Sequence, residues 1–290
     1  MVGGFTKLAF SFPSDTQVYL SCSLIFNNKM YVFGGSNLKR QISTVDGCGL
    51  KRIGSLNFDF ERGACTTVQG TGTLLCFSNS KSSKTEGQEC RVSSSPIGSF
   101  TKIKNSNYIH YQTKIASNGG LLWIKNFIET FYLDTVLAVA SRDNRSQQGH
   151  NKAELYSTSA PVWKTMASYP YHKKFWDFEI LAHSSSFFIF GGLYTDKAWT
   201  SYYKIDIIAK FSPVLNQWVK LGSFRNSRHA FGVTKTDQIF LIMGGYSSKP
   251  TEICELQNGA MNCASTQPTM NNFMYYPAMM TVSSDYANNC

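Results

Sequence analysis

Long apolar runs are missing from this chain. None approaches the ~18 residues that a membrane-spanning helix requires, so no span is expected. The N-terminus does not read as a secretion signal: Lys7 is the only charge from Met1 to Phe12, and Gly3, Gly4 and Thr6 interrupt the apolar stretch. Met1 starts inside a strand-like segment, and the chain is expected to be mature, truncated or trimmed at that end.

Motifs that carry chemistry are equally scarce. There are 5 histidines (His110, His150, His172, His183 and His229), and no two have the i, i+4 spacing of a helical metal site. No Cys-x-x-Cys occurs, and nucleophile elbow, phosphate-cradling loop and dinucleotide fingerprint are all absent. The Ser-x-Asp-x-Gly-x-Thr-Trp box of sialidases is missing too. A non-enzymatic chain without a cofactor is expected.

Acidic residues are the minority. Lys plus Arg number 28 against 18 Asp plus Glu, a net charge of +10 and a pI near 9.1. Such a balance favours acidic proteins, anionic glycans or other anionic surfaces. No Lys/Arg run exceeds two residues, so a nucleic-acid role has only net charge behind it.

Against these absences stand 8 cysteines: Cys22, Cys48, Cys65, Cys76, Cys90, Cys254, Cys263 and Cys290. An even count in a strand-rich chain fits disulfides and an extracellular or secreted setting. Eight free thiols in a cytosolic protein are the alternative. Two pairs look local. Cys65 and Cys76 flank Gly70-Thr71-Gly72, and Cys254 and Cys263 flank Asn258-Gly259, both hairpin signals. Cys22, Cys48, Cys90 and Cys290 allow three pairings and stay unassigned. A glycosylation sequon, Asn144-Arg145-Ser146, also favours secretion.

The strongest signal is a repeat. A short apolar strand ends in Gly-Gly at Gly3-Gly4, Gly34-Gly35, Gly191-Gly192 and Gly244-Gly245. A shorter strand precedes most of these by about ten residues, as the inner strand of a β-propeller blade would. Inner strands are expected to begin near residues 18, 63, 110, 177, 229 and 277. The blades then run approximately 18–62, 63–109, 110–176, 177–228, 229–276, and 277–290 plus 1–17. The reading is all-β: a single six-bladed domain over 1–290, closed by pairing the segment near Pro277 with Met1–Gly4. Closure would satisfy backbone groups that an open edge leaves bare. The third blade holds an insertion, 121–131, with Val136 to Ser141 as its second strand. Trp163 and Trp218 occupy equivalent places and are expected to wedge between sheets.

Gly-Gly after an apolar strand, a Tyr in the next strand (Tyr156, Tyr202) and a Trp further on (Trp163, Trp218) is similar to the kelch repeat. So is Trp218-Val219-Lys220-Leu221-Gly222-Ser223 followed by Arg228-His229-Ala230. The second and third blades depart from it, with Cys76-Phe77-Ser78 and Ala140-Ser141 in place of Gly-Gly. The resemblance implies a six- or seven-bladed propeller used mainly as a binding scaffold. It also implies two alternatives: an enzyme using the central channel, such as the copper-dependent galactose oxidase or a hydrolase, and a cytosolic interaction or actin-binding module. In the copper case His110 and His229, read as equivalent starts of inner strands, are weak metal candidates.

Loops after each second strand and before each first strand emerge on one face. There, basic and aromatic residues interleave, and the candidates for binding an acidic protein or anionic glycan are Tyr171, His172, Lys173, Lys174, Trp176, Arg142, Arg145, Lys197, Trp199, Arg228 and Tyr246. The alternative for Phe175 and Trp176 is that they cover a blade junction.

Overall fold

The computed structural model describes residues 21–269 apart from 28, 36, 47–48, 69–71, 79–86, 111–112, 119–120, 123–130, 133–134, 142–149, 159, 196–200, 237 and 246–249. Five antiparallel sheets follow one another along the chain, and a small two-stranded ribbon sits within the third. Blade 1 comprises β1 (Cys22–Phe26), β2 (Lys29–Phe33), β3 (Gln41–Asp46) and β4 (Gly49–Ser55). Blade 2 comprises β5 (Ala64–Val68), β6 (Gly72–Cys76), β7 (Cys90–Ser93) and β8 (Thr101–Lys102). Blade 3 contains β9 (Ile115–Asn118), the ribbon β10 (Leu121–Leu122) with β11 (Phe131–Tyr132), then β12 (Thr135–Ser141), β13 (His150–Ser157) and β14 (Trp163–Met166). Blade 4 contains β15 (Phe175–Trp176), β16 (Glu179–His183), β17 (Ser186–Thr195), β18 (Tyr202–Ser212) and β19 (Gln217–Ser223). Blade 5 contains β20 (Phe231–Thr236), β21 (Ile239–Gly244), β22 (Pro250–Gln257) and β23 (Ala260–Thr269).

The first strands β1, β5, β9, β16 and β20 touch in chain order, as strands around a propeller axis do. The chain is therefore an all-β propeller. Its described residues form five blades, not six. The sixth blade, and the pairing of Pro277 with Met1–Gly4, lie outside the described residues.

Sequence character follows radial position. Second strands are apolar on both faces because a blade packs on both neighbours: β17 carries Phe187, Phe188, Ile189 and Phe190 in succession, all buried. Fourth strands lie at the rim, where β4 and β19 mix exposed and half-buried residues. Phe33, Leu56, Phe60 and Leu75 fill the junction of blades 1 and 2, and Leu74, Phe77, Val136 and Trp163 that of blades 2 and 3. Val139, Tyr169, Phe175 and Phe211 join blades 3 and 4, while Phe190, Phe231, Phe240 and Ile242 join blades 4 and 5. Trp163 packs on Phe77 at 5.7 Å, and Trp218 packs on Tyr169 at 5.2 Å. Both tryptophans wedge between sheets. The Val136–Ser141 segment pairs with the first strand of its blade, and 121–131 includes a hairpin.

The blades without Gly-Gly keep the backbone turn that glycine serves. Gly34, Phe77, Ala140, Gly191 and Gly244 have φ of 62°, 62°, 61°, 54° and 75°. Left-handed φ at a buried Phe and a buried Ala costs energy that the surrounding packing must offset. Glycine is needed more strictly at this turn in blade 1: a Cβ on Gly34 would lie 1.8 Å from the Phe60 carbonyl oxygen.

Three disulfides staple the blades: Cys22–Cys65, Cys76–Cys90 and Cys254–Cys263. The last is the hairpin pair expected from sequence. The expected Cys65–Cys76 pair does not form. Cys65 lies opposite Leu75 while Cys76 lies opposite Ala64, a one-residue offset that points the two sulfurs to opposite faces of the hairpin. Cys76 instead faces Cys90 directly across β6 and β7, and Cys65 reaches the first strand of blade 1. Cys48, Cys290 and the Asn144 sequon lie outside the described residues.

Candidate functional site

The loops leading into blades 3 and 5 are held by one shared device. In blade 3, Glu154 accepts the backbone N–H groups of Asn107 and Tyr108 at 3.0 Å each, the Asn107 side-chain amide at 2.6 Å, and His110 Nε2–H at 2.8 Å. In blade 5, Glu252 accepts the N–H groups of Arg225 and Asn226 at 3.0 and 3.1 Å and Arg228 Nη2–H at 2.7 Å. His110, Glu154, Arg228 and Glu252 are all buried. A buried charge needs this kind of pairing. Burial pushes the Glu154 carboxyl up, but the hydrogen bond and charge of His110, with the two N–H groups, outweigh it and hold it below its usual value.

Blades 2 and 4 solve the same problem with rings. Phe60, Phe175 and Arg228 each lie two residues before a left-handed residue: Arg62, Asp177 and Ala230, with φ of 55°, 53° and 54°. Where blade 5 has its ion pair, blade 2 lays Arg91 over Phe58 at 4.4 Å, and blade 4 stacks Phe175 on Tyr169 at 4.2 Å.

This corrects the histidine assignment. His110 corresponds to Arg228, not to His229. It is not a free strand start, because Nδ1 lies 3.0 Å from the Ala140 carbonyl and Nε2 meets Glu154, so both nitrogens are engaged. His229 lies 3.9 Å from Asp177, in the loop into blade 5. Burial, then the charge of Lys204, lowers its pKa to about 4. Among the described residues, Glu252, Cys254 and Cys263 lie within 4.8 Å of one another, the spacing a metal would need. The two sulfurs are joined to each other and Glu252 holds Arg228, so this group offers no ligand set.

The distinctive surface is on blade 4. Its sheet does not stop at Gly191-Gly192. It bulges there and continues, with Leu193–Thr195 pairing with Tyr202–Lys204 on one side and Phe175–Trp176 on the other. The segment read as a loop thus begins as a three-stranded rib standing on the long-loop face. Opposed residues share a face and successive residues alternate. One side of the rib therefore carries Phe175, Tyr194 and Tyr203, and the other carries Trp176, Leu193, Thr195, Tyr202 and Lys204.

On the first side, His172 stacks on Tyr194 at 4.1 Å, and Tyr194 on Tyr203 at 5.1 Å. Burial lowers the His172 pKa against the opposing charge of Asp206 and so favours the neutral form of the stacked ring. On the second side, the buried Trp176 meets Tyr202 edge-on at 5.7 Å and 87°. Tyr202 and Tyr203 remain 55% and 45% exposed. That is high for rings, and their fixed partners limit the entropy a ligand would have to remove.

Several sequence candidates converge here. His172 is in the stack, and exposed Lys173 and half-buried Lys174 follow it. Tyr171 is half-buried on the core, 5.3 Å from Tyr169. Trp176 and Arg228 are buried, so neither is a docking side chain: Trp176 closes a junction and props Tyr202, and Arg228 holds Glu252. Arg142, Arg145, Lys197, Trp199 and Tyr246 lie outside the described residues. Sequence reasoning missed Tyr202, Tyr203 and Lys204 as surface groups, treating this stretch only as an outer strand. The available signal was the apolar Leu193-Tyr194 after Gly-Gly, which lets the strand continue past its bulge. Comparison of the chain with models of known protein families and with curated proteins finds no match.

Proposed function

We propose that the chain is a six-bladed kelch-type propeller of the extracellular space, serving as a non-enzymatic module that binds an acidic protein or an anionic glycan on its long-loop face. The observation that carries this is the blade-4 rib: exposed, propped tyrosines beside Lys173 and Lys204 on a rigid sheet, in a chain of net charge +10. Aromatic anchors among cations suit docking of an anionic partner. The three disulfides accord with an oxidising compartment.

Two features support a sixth blade. Blade 1 turns Met30, Val32 and Val45 away from blade 2, and blade 5 presents Ile239, Leu241 and Met243 on the side opposite its junction with blade 4. A further sheet from residues 277–290 and 1–17 would cover both. The engagement of both His110 nitrogens weighs against the copper reading.

The test is charge reversal. The double variant Lys173→Glu/Lys204→Glu should keep the wild-type unfolding midpoint and lose binding to immobilised acidic ligands (polyglutamate and sulfated polysaccharide). Wild-type binding should also weaken as salt rises. Binding of both ligands that is unchanged by the reversal counts against this face.

A further inference from the structure

We propose that the side of the rib turned toward blade 5 is a subsite for one acidic sugar unit, its ring laid on Tyr202 and its carboxylate or sulfate held by Lys204. This rests on reading the long-loop face as a binding surface and names the ligand class for it. Tyr202 and Lys204 are alternate residues of β18, so they project from one face about 7 Å apart along the strand. Trp176, on the same face, holds Tyr202 edge-on at 5.7 Å. Thr195, directly opposite Tyr202, and the buried Trp176 bound the site on the β17 and β15 side.

The chemistry favours a sugar over a protein side chain. A protein anchor sinks into a desolvated pocket walled by apolar groups. Tyr202 instead stands 55% exposed, and the large apolar side chains exposed at this end of β17 and β18 are tyrosines, not aliphatics. A pyranose presents one C–H face and a rim of hydroxyls. The C–H face carries partial positive charge and suits the negative face of an aromatic ring. The rim stays hydrated beside the Tyr202 hydroxyl and Thr195. Lys204 supplies the counter-charge for an acidic substituent. Its charge also reaches His229, which places this side of the rib toward the loop into blade 5. Tyr203, on the opposite side, leaves the rib aromatic on both faces.

The experiment measures binding of the intact chain to a heparin hexasaccharide, a hyaluronan hexasaccharide, neutral maltohexaose and a decaglutamate peptide. Wild type should bind at least one acidic hexasaccharide more tightly than the other two probes. Which one binds tells sulfate from carboxylate. Tyr202→Ala should weaken sugar binding about tenfold or more, while Tyr202→Phe, which keeps the ring face, should bind like wild type. Lys204→Gln should weaken the acidic sugar severalfold. Decaglutamate binding without hexasaccharide binding overturns the sugar proposal and leaves the docking reading standing. Failure of all acidic probes overturns both. Equal loss in Tyr202→Phe and Tyr202→Ala, or none in Tyr202→Ala, also overturns the subsite.

Discussion

Arg228 Nη2 lies 2.7 Å from Glu252 Oε1, and neither side chain reaches solvent. The same carboxylate also takes the N–H groups of Arg225 and Asn226, so one side chain of blade 5 holds the chain that arrives from blade 4. Removing one partner strands a buried charge, which costs about 3–5 kcal/mol. Glu252→Ala should lower stability by that order in urea titration, with the slope unchanged. The double variant Arg228→Met/Glu252→Met should cost less than the sum of its singles, because no charge is left unpaired.

Acid should unfold the protein in two stages. The His150 pKa is lowered from 6.5 to about 4, chiefly by burial and next by the charge of His110. His229 is lowered to about 4 by burial and then by Lys204. Unfolded histidines take up protons near pH 6.5 and the folded ones do so only near 4, so stability is full above 6.5 and falls as pH drops through that window. Glu154 is held below its ordinary 4.5, so its contribution fades as pH falls from 4.5 toward its lowered folded value. The variant His150→Gln/His229→Gln should flatten the fall between pH 6.5 and 4. Urea midpoints measured from pH 8 to 3 test this, and an equal slope in both proteins would refute it.

The disulfides should differ in weight. Cys22 and Cys65 are 43 residues apart and clamp the first strands of blades 1 and 2, whereas Cys254 and Cys263 are 9 apart within one hairpin. Loop-closure entropy gives about 4 kcal/mol for the first and about 3 kcal/mol for the second. Cys22→Ala/Cys65→Ala should therefore lower stability more than Cys254→Ala/Cys263→Ala. Peptide mapping under non-reducing conditions should recover the three observed linkages and no Cys65–Cys76 peptide.

Gly34→Ala should be among the most harmful single-methyl additions. The new Cβ would fall 1.8 Å from the Phe60 carbonyl oxygen, at a residue with φ of 62°. Backbone from blade 2 would have to move, a loss of about 1–3 kcal/mol. Gly259→Ala, which meets nothing within 4 Å, should cost less despite its own φ of 79°. Thermal melts of the two variants give the comparison.

Much of the architecture was legible because strand periodicity and turn chemistry are local. The inner strands near 63, 177 and 229, the insertion after residue 120, the wedge tryptophans and the Cys254–Cys263 hairpin all follow from residues within one blade. Lys173 and His172 lie at the rib, while Trp176 and Arg228 are buried, because an aromatic or cationic residue in a loop does not announce whether a neighbouring blade covers it. The kinship of His110 with Arg228 was also hidden: the carboxylates that define it, Glu154 and Glu252, lie 44 and 24 residues further along the chain.

Alternating apolar strands, Gly-Gly turns and hairpin signals determined by themselves that this chain builds small antiparallel sheets with apolar faces that must stack. Only the tertiary structure decided which cysteines meet, which charges are locked between blades, and that the sheet of blade 4 runs past its glycines to raise Tyr202 and Tyr203 into solvent. The physical reason is one of range. Strand, turn and face are set by neighbours in sequence, whereas burial, pairing and exposure are set by the packing of blades whose contacting residues lie tens of positions apart.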